Sequence, residues 1–417
     1  KQVVRVMRSV VFSLWALFAG LSLIIVGNGL QSTLLGVRAS LSGFPTGVTG
    51  AVMACYYLGF MLGSWTTPRL IARVGPIRVF AALASLFSFA PLAHALFVDP
   101  VAWAIVRLLS GACIVGIYII VESWLNAEAT NANRGRLLSL YLIVSQGSVA
   151  AGQFLLQAAD PLGFELFVLI SALGSLAVVP LMLTRHPAPR HEQHAAISLR
   201  ALTRRVPLTV VGILLVSLSY GAFYAIGPVY ALEIGFEPSQ IAWFMAAAIV
   251  GSTLLQWPIG MLSDRMDRRR VLVGLSAMVS VIAAALALMP GHAALPIYAL
   301  MFLYGGLSFP LYGVFVSLAG DQMRGDELVA ASSKVLLVNG AGSAIGPVLV
   351  AWLMDAVDAR AYLLFVALIH VIVCALVVYN LLRTGTGTVV PVTHHVNATP
   401  QGSVVAAEMA GRVAGEP

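Results

Sequence analysis

Apolar residues run along this chain in blocks long enough to cross a bilayer, and the short polar segments between them carry most of the arginines. A helix needs about 20 apolar residues to traverse roughly 30 Å of hydrocarbon, and only a helix satisfies its own backbone polar groups there without neighbours. The pattern predicts spans at 10–36, 45–71, 77–98, 101–125, 137–159 and 164–184 in the first half, and at 207–233, 238–262, 271–290, 294–320, 332–354 and 360–382 in the second. Between the halves, 185–206 holds Pro187, Pro189, three His and five Arg and reads as a connecting loop. After Arg383 the chain is rich in Thr, Gly, Val and Pro and has no span-length apolar run, the composition of a disordered tail. The predicted organisation is therefore a six-helix bundle over 1–184, a loop over 185–206, a second six-helix bundle over 207–383 and a tail over 384–417.

The halves are copies of one unit. At a shift of 192 residues, 16 of the 54 positions from Gly43 to Leu96 are identical to their partners in Gly235 to Leu288. Chance in so apolar a chain gives on the order of a tenth, so this is an internal repeat of the kind found in transporter halves. Paired positions include Gly59 with Gly251, Trp65 with Trp257, Arg73 with Arg265 and Arg78 with Arg270.

Composition agrees. Hydrophobic residues are 59% and charged residues 10% of the 417, and mean hydropathy is +0.93, values of an integral membrane protein. Lys and Arg are retained on the cytoplasmic side, and a cytoplasmic N-terminus places 21 of the 24 inside. Arg38 and Arg360 then lie outside and Arg107 lies within a span. Both termini are expected in the cytoplasm, with an uncleaved first helix. The net charge of +7 is thereby a topology signal that needs no nucleic-acid partner. Cys55, Cys113 and Cys374 fall inside spans without metal or disulfide spacing and read as packing thiols. Asn397-Ala398-Thr399 matches a glycosylation acceptor on the wrong side of the membrane, and His394 and His395 beside it read as solvated tail. No nucleophile with its base, no metal cluster and no phosphate loop stands out, so neither an enzyme nor a cofactor is expected.

The segment GMLSDRMDRRR, Gly260 to Arg270, resembles the loop signature of the major facilitator superfamily: Gly260, Leu262, Asp264, Arg265, Arg268 and Arg269 match it, and Asp267 replaces its second Gly. The resemblance implies an all-α membrane protein of twelve helices in two pseudo-symmetric bundles that rock about a central substrate cavity. It implies a small-molecule substrate and coupling to protons, in a bacterial inner membrane and as a monomer. The loop's physical task is to hold the cytoplasmic faces together by charge pairing, with Asp264 as an acid near a helix N-terminus. In the first half Arg73, Gly75 and Arg78 fit, but Ala72 stands where the acid belongs. NANRGRLLSLY, Asn131 to Tyr141, resembles an uncharacterised bacterial branch of the superfamily.

Arg107 with Gly111 resembles the Arg-x-x-x-Gly element of proton-coupled members. An Arg inside a span costs at least about 2.5–3.5 kcal/mol, so a partner, water or an anionic substrate should compensate it; the alternative is that it snorkels to the headgroups. Tyr118 shares its helix face. Glu122 is the one carboxylate placed within a span, either a proton carrier or, as favoured here, a gate residue paired with Arg73, Arg78 or Arg136. Spans 1, 4, 7 and 10 line the cavity in the family. Asn28 and Gln31 in span 1, Tyr220 and Tyr224 in span 7 and Tyr304 in span 10 are thus expected there, as are Gln146 and Gln153 on one stripe of span 5 and Asn339 in span 11. Each amide or hydroxyl taken alone could equally be helix-to-helix glue. Tyr304 and Tyr312 flank a break at Phe309-Pro310 where span 10 can bend. Such a cavity suits an anionic or amphiphilic organic solute. Uptake by symport and efflux by antiport both stay open, because Gly152 is followed by Gln153 where drug antiporters carry Gly-Pro. A ligand sensor that kept the fold is the further alternative.

Overall fold

The computed structural model describes residues 2–130, 133–183, 198–291, 293–323 and 325–384, with positions 402 and 405. Twelve helices are long and apolar enough to cross a membrane: α1 (Leu14–Leu41), α2 (Thr46–Val74), α3 (Pro76–Leu96), α4 (Pro100–Glu128), α5 (Arg134–Ala158), α6 (Glu165–Met182), α7 (Pro207–Glu233), α8 (Pro238–Arg265), α9 (Arg268–Leu288), α10 (Ala294–Gly320), α11 (Ala331–Ala356) and α12 (Ala361–Thr384). No strand occurs among the described residues. The predicted tail lies outside them almost entirely, as does the first part of the predicted loop. Its second part is a short helix, Leu199–Arg205, capped by the Ser198 hydroxyl, which accepts from the Ala201 N–H.

Helix starts follow from local chemistry. Pro76, Pro100, Pro207 and Pro238 open α3, α4, α7 and α8, where a missing N–H costs nothing. The Asp99 carboxylate caps α4 by accepting from the Val101 and Ala102 N–H groups. The expected interruption of α10 occurs at Phe309, between Ala294–Ser308 and Pro310–Gly320.

Glycines set the packing inside each bundle. A methyl on Gly111 would lie 1.9 Å from the Tyr56 carbonyl oxygen, and one on Gly59 1.9 Å from that of Leu108, so α2 and α4 cross in backbone contact. In the second bundle Gly251 meets Phe302 O and Gly305 meets Ala248 O at 2.0 and 2.1 Å, the same crossing between α8 and α10. Gly29 and Gly152 bring α1 against α5, and Gly221 and Gly346 bring α7 against α11. Small residues at such points permit the close backbone approach on which helix association in lipid depends.

The molecule has an arginine-rich end, with the α2–α3, α4–α5 and α8–α9 turns, and an arginine-poor end. At the arginine-poor end the bundles close. The Gly47 N–H at the start of α2 donates to Asp355 Oδ2 of α11 at 2.7 Å, and the Thr46 hydroxyl lies 3.3 Å from Glu233 Oε1 of α7. Phe154 of α5 packs edge-on against Trp243 of α8, with centroids 4.8 Å apart. Toward the arginine-rich end α5 and α8 splay around a cleft of about 190 Å³, lined by Ser139, Leu142, Ile143 and Gln146 on one wall and Thr253, Gln256 and Trp257 on the other.

Candidate functional site

At the centre, α1, α2, α4, α7 and α11 enclose a pocket. Asn28 and Ser32 come from α1, Tyr56, Tyr57 and Phe60 from α2, and Arg107 and Tyr118 from α4. The second bundle adds Tyr220, Tyr224 and Ala225 from α7 and Asn339 and Gly340 from α11. The space between these side chains is about 30 Å³, room for a water or two.

Arg107 is 2% exposed. Its guanidinium carbon lies 4.5 Å from the centroid of the Tyr56 ring, and neither Nε nor Nη1 finds a hydrogen-bond partner on the protein. It therefore does not snorkel. The geometry follows from the helix crossing: Gly111 abuts the Tyr56 backbone, and Arg107, one turn earlier on the same face, is carried under the Tyr56 ring. Beside it Asn28 Oδ1 is buried without a protein partner, whereas Asn339 is held by a 2.7 Å bond from the Ser217 hydroxyl.

Asn28, Arg107, Tyr118, Tyr220, Tyr224 and Asn339 are thus brought together as expected, and four others are elsewhere. Gln153 is fully buried between α1 and α5, accepting from Thr33 and donating to Gly29 O and Val149 O, so it is helix glue. Gln146 lines the α5–α8 cleft instead. Tyr304 packs inside the second bundle, with its hydroxyl 3.1 Å from that of Ser219. Gln31 is fully buried beside the pocket lining, and neither amide atom finds a protein partner. Span 10 adds no side chain to this lining, whereas α2 supplies three aromatic rings. The adjacent Tyr56-Tyr57 pair in an otherwise small-residue span was the available signal, because paired phenols rarely face lipid at mid-depth.

Glu122 is 0% exposed and accepts a hydrogen bond from the Tyr141 hydroxyl of α5. Arg73, Arg78 and Arg136 lie at exposed positions, whereas Glu122 sits buried one turn from Tyr118. The signature loop is tied within the second bundle. Arg268 Nε bonds Asp321 Oδ2 at 2.7 Å, and Nη1 bonds Ser263 Oγ at 2.9 Å and lies 3.4 Å from Asp264 Oδ1. Arg269 pairs with Asp267 and donates to the Thr384 hydroxyl, while Arg265 is exposed. These bonds join α8, α9, α10 and α12. Asp264, beside Arg268, thus belongs to a seam inside the second bundle.

Two duplicated helical bundles around a buried polar pocket define a polytopic membrane protein of the secondary-transporter class. The chain matches the family profile described as Major Facilitator Superfamily over residues 9–322 and 209–404. It belongs to that superfamily. It is 29% identical over 341 residues, 81% of this chain and 88% of the relative, to an uncharacterized MFS-type transporter of Enterobacter sp. (strain 638). To the uncharacterized MFS-type transporter YcaD of Escherichia fergusonii it is 28% identical over 380 residues, 91% and 97% of the two chains. Among solved structures it is similar in fold to the nucleoside transporter NupG, with a TM-score of 0.77 at 14% identity, covering 88% of this chain and 98% of that one. A bacterial homologue of the human lysosomal transporter Spinster, in an inward-facing and occupied conformation, gives 0.74 at 12% identity, covering 91% and 97%. The protein is a secondary transporter and not an enzyme.

Proposed function

We propose that the chain moves a small organic anion across a bacterial inner membrane by alternating access, with the central pocket as the binding site and proton movement as the coupled flow. One observation carries this reading: a guanidinium buried in the pocket with two of its nitrogens, Nε and Nη1, unmatched by the protein. A charge so placed is stabilised by an opposite charge on the ligand. Both termini and the arginine-rich end then face the cytoplasm, and the sealed arginine-poor end makes this the inward-facing arrangement. The protein acts as a monomer. Glu122 is the proton carrier: it is buried, bonded to a phenol and adjacent on α4 to the pocket residue Tyr118, so its ionisation is tied to the packing of α4 against α5.

A thermal-shift screen of the purified protein against metabolite anions tests this, since a ligand stabilises the folded state by mass action. A hit should stabilise wild type, and Arg107→Ala should abolish the shift. An undiminished shift in that variant sinks the anion reading.

A further inference from the structure

We infer that the ligand of the central pocket is a planar aromatic monocarboxylate, its carboxylate on Arg107 and its ring among the pocket's aromatic side chains. This rests on the anion reading and adds the ring. Half of the twelve lining residues are aromatic, four rings from the first bundle and two from the second. They already contact one another, Tyr56 meeting Tyr57 edge-on at 5.4 Å and 89° and Tyr220 meeting Tyr224 at 4.9 Å and 54°, and behind the lining Tyr224 stacks on Phe309 at 6.0 Å.

The free space is smaller than any ring, so a ligand must part these side chains. An aromatic ligand replaces ring–ring contacts with contacts of the same kind, which favour offset and edge-on geometry beyond the area they bury. A saturated body of equal size loses that term. The pocket also selects on charge. It has one guanidinium and no lining carboxylate, so a cation meets nothing of opposite sign and a dianion would leave one charge buried and unpaired. The Arg107 guanidinium carbon lies 4.5 Å from the Tyr56 ring centroid, and its Nε and Nη1, which meet no protein acceptor, are the edge a carboxylate can approach.

The test compares benzoate, cyclohexanecarboxylate and benzamide by calorimetric titration of the full chain in detergent. These probes keep size nearly constant while removing the ring or the charge. Benzoate should bind about two- to twelvefold tighter than cyclohexanecarboxylate, the factor a stacked aromatic pair contributes, and more than about tenfold tighter than benzamide. Tyr224→Leu should bring the two carboxylates within about twofold of each other, while Tyr224→Phe should preserve the preference. Equal binding of the two carboxylates in wild type, with dependence on Arg107, overturns the aromatic inference and leaves the anion reading standing. So does failure of all three probes when a non-aromatic anion binds through Arg107. Binding of benzamide as tight as that of benzoate overturns both.

Discussion

At the scale of single residues, Arg107 shows how a membrane protein holds a group its fold does not favour. Superposing the two helix crossings on their glycines, Gly111 with Gly305, matches Arg107 to Met301 and Tyr56 to Ala248. The second copy of the same site is thus apolar, and Met301 is fully buried. The charge is not needed for packing. Arg107→Met should accordingly raise the melting temperature of the unliganded protein by a few degrees, since it removes a desolvation cost of about 2.5–3.5 kcal/mol, while ligand-induced stabilisation disappears. A lower melting temperature would make Arg107 a structural residue. Glu122 calls for a functional assay: Glu122→Gln in proteoliposomes should abolish accumulation driven by a pH gradient and retain counterflow exchange of the same solute. Full pH-driven accumulation would remove Glu122 as the carrier. That Arg107 was singled out from sequence reflects the high energetic cost of an intramembrane charge, which marks it whatever its neighbours. Gln153 and Tyr304 carried no comparable mark. Amides and phenols serve equally as glue and as ligand contacts, and only the helix rotation, with Gln153 turned to Thr33 and Tyr304 to Ser219, decides between them.

At the scale of elements, the helices were legible because hydrocarbon thickness fixes their length, and the break in α10 because Pro310 lacks an N–H. Which helices cross, and how closely, was not. Gly59, Gly111, Gly251 and Gly305 stand among 38 glycines, and nothing local separates a contact glycine from one facing lipid. The pocket's composition depends on those crossings, so the three rings of α2 went unassigned. A substitution tests the distinction. Gly111→Ala places a methyl against backbone that cannot yield and should destabilise by about 1–3 kcal/mol, seen as a lower melting temperature and as weaker ligand binding through displacement of Arg107. Gly147→Ala meets nothing within 4 Å and should leave both unchanged.

At the scale of the molecule, one end is closed by contacts that must break when access changes sides. Asp355 and Glu233 of the second bundle meet the first turn of α2 in the first. Exposed bonds of this kind contribute about 1 kcal/mol together, a population factor of about five. Spin labels across the arginine-poor end, at Val48 and Val357, should show a longer-distance population that grows by that factor in the Asp355→Ala, Glu233→Ala double variant. An unchanged distribution would assign the closure to the apolar contacts alone. The same bonds bear on how the protein is assembled. Pro45 precedes α2 and has no side-chain acceptor, and no side chain of the first bundle caps that helix, so a carboxylate from the far side of the pseudo-symmetry axis completes its opening turn. Residues 1–184 translated by themselves should show rapid amide exchange at Gly47, slowed again when 207–383 is supplied as a separate chain. One half of the repeat thus finishes a helix of the other, so the opening turn of α2 is complete only once the halves have met.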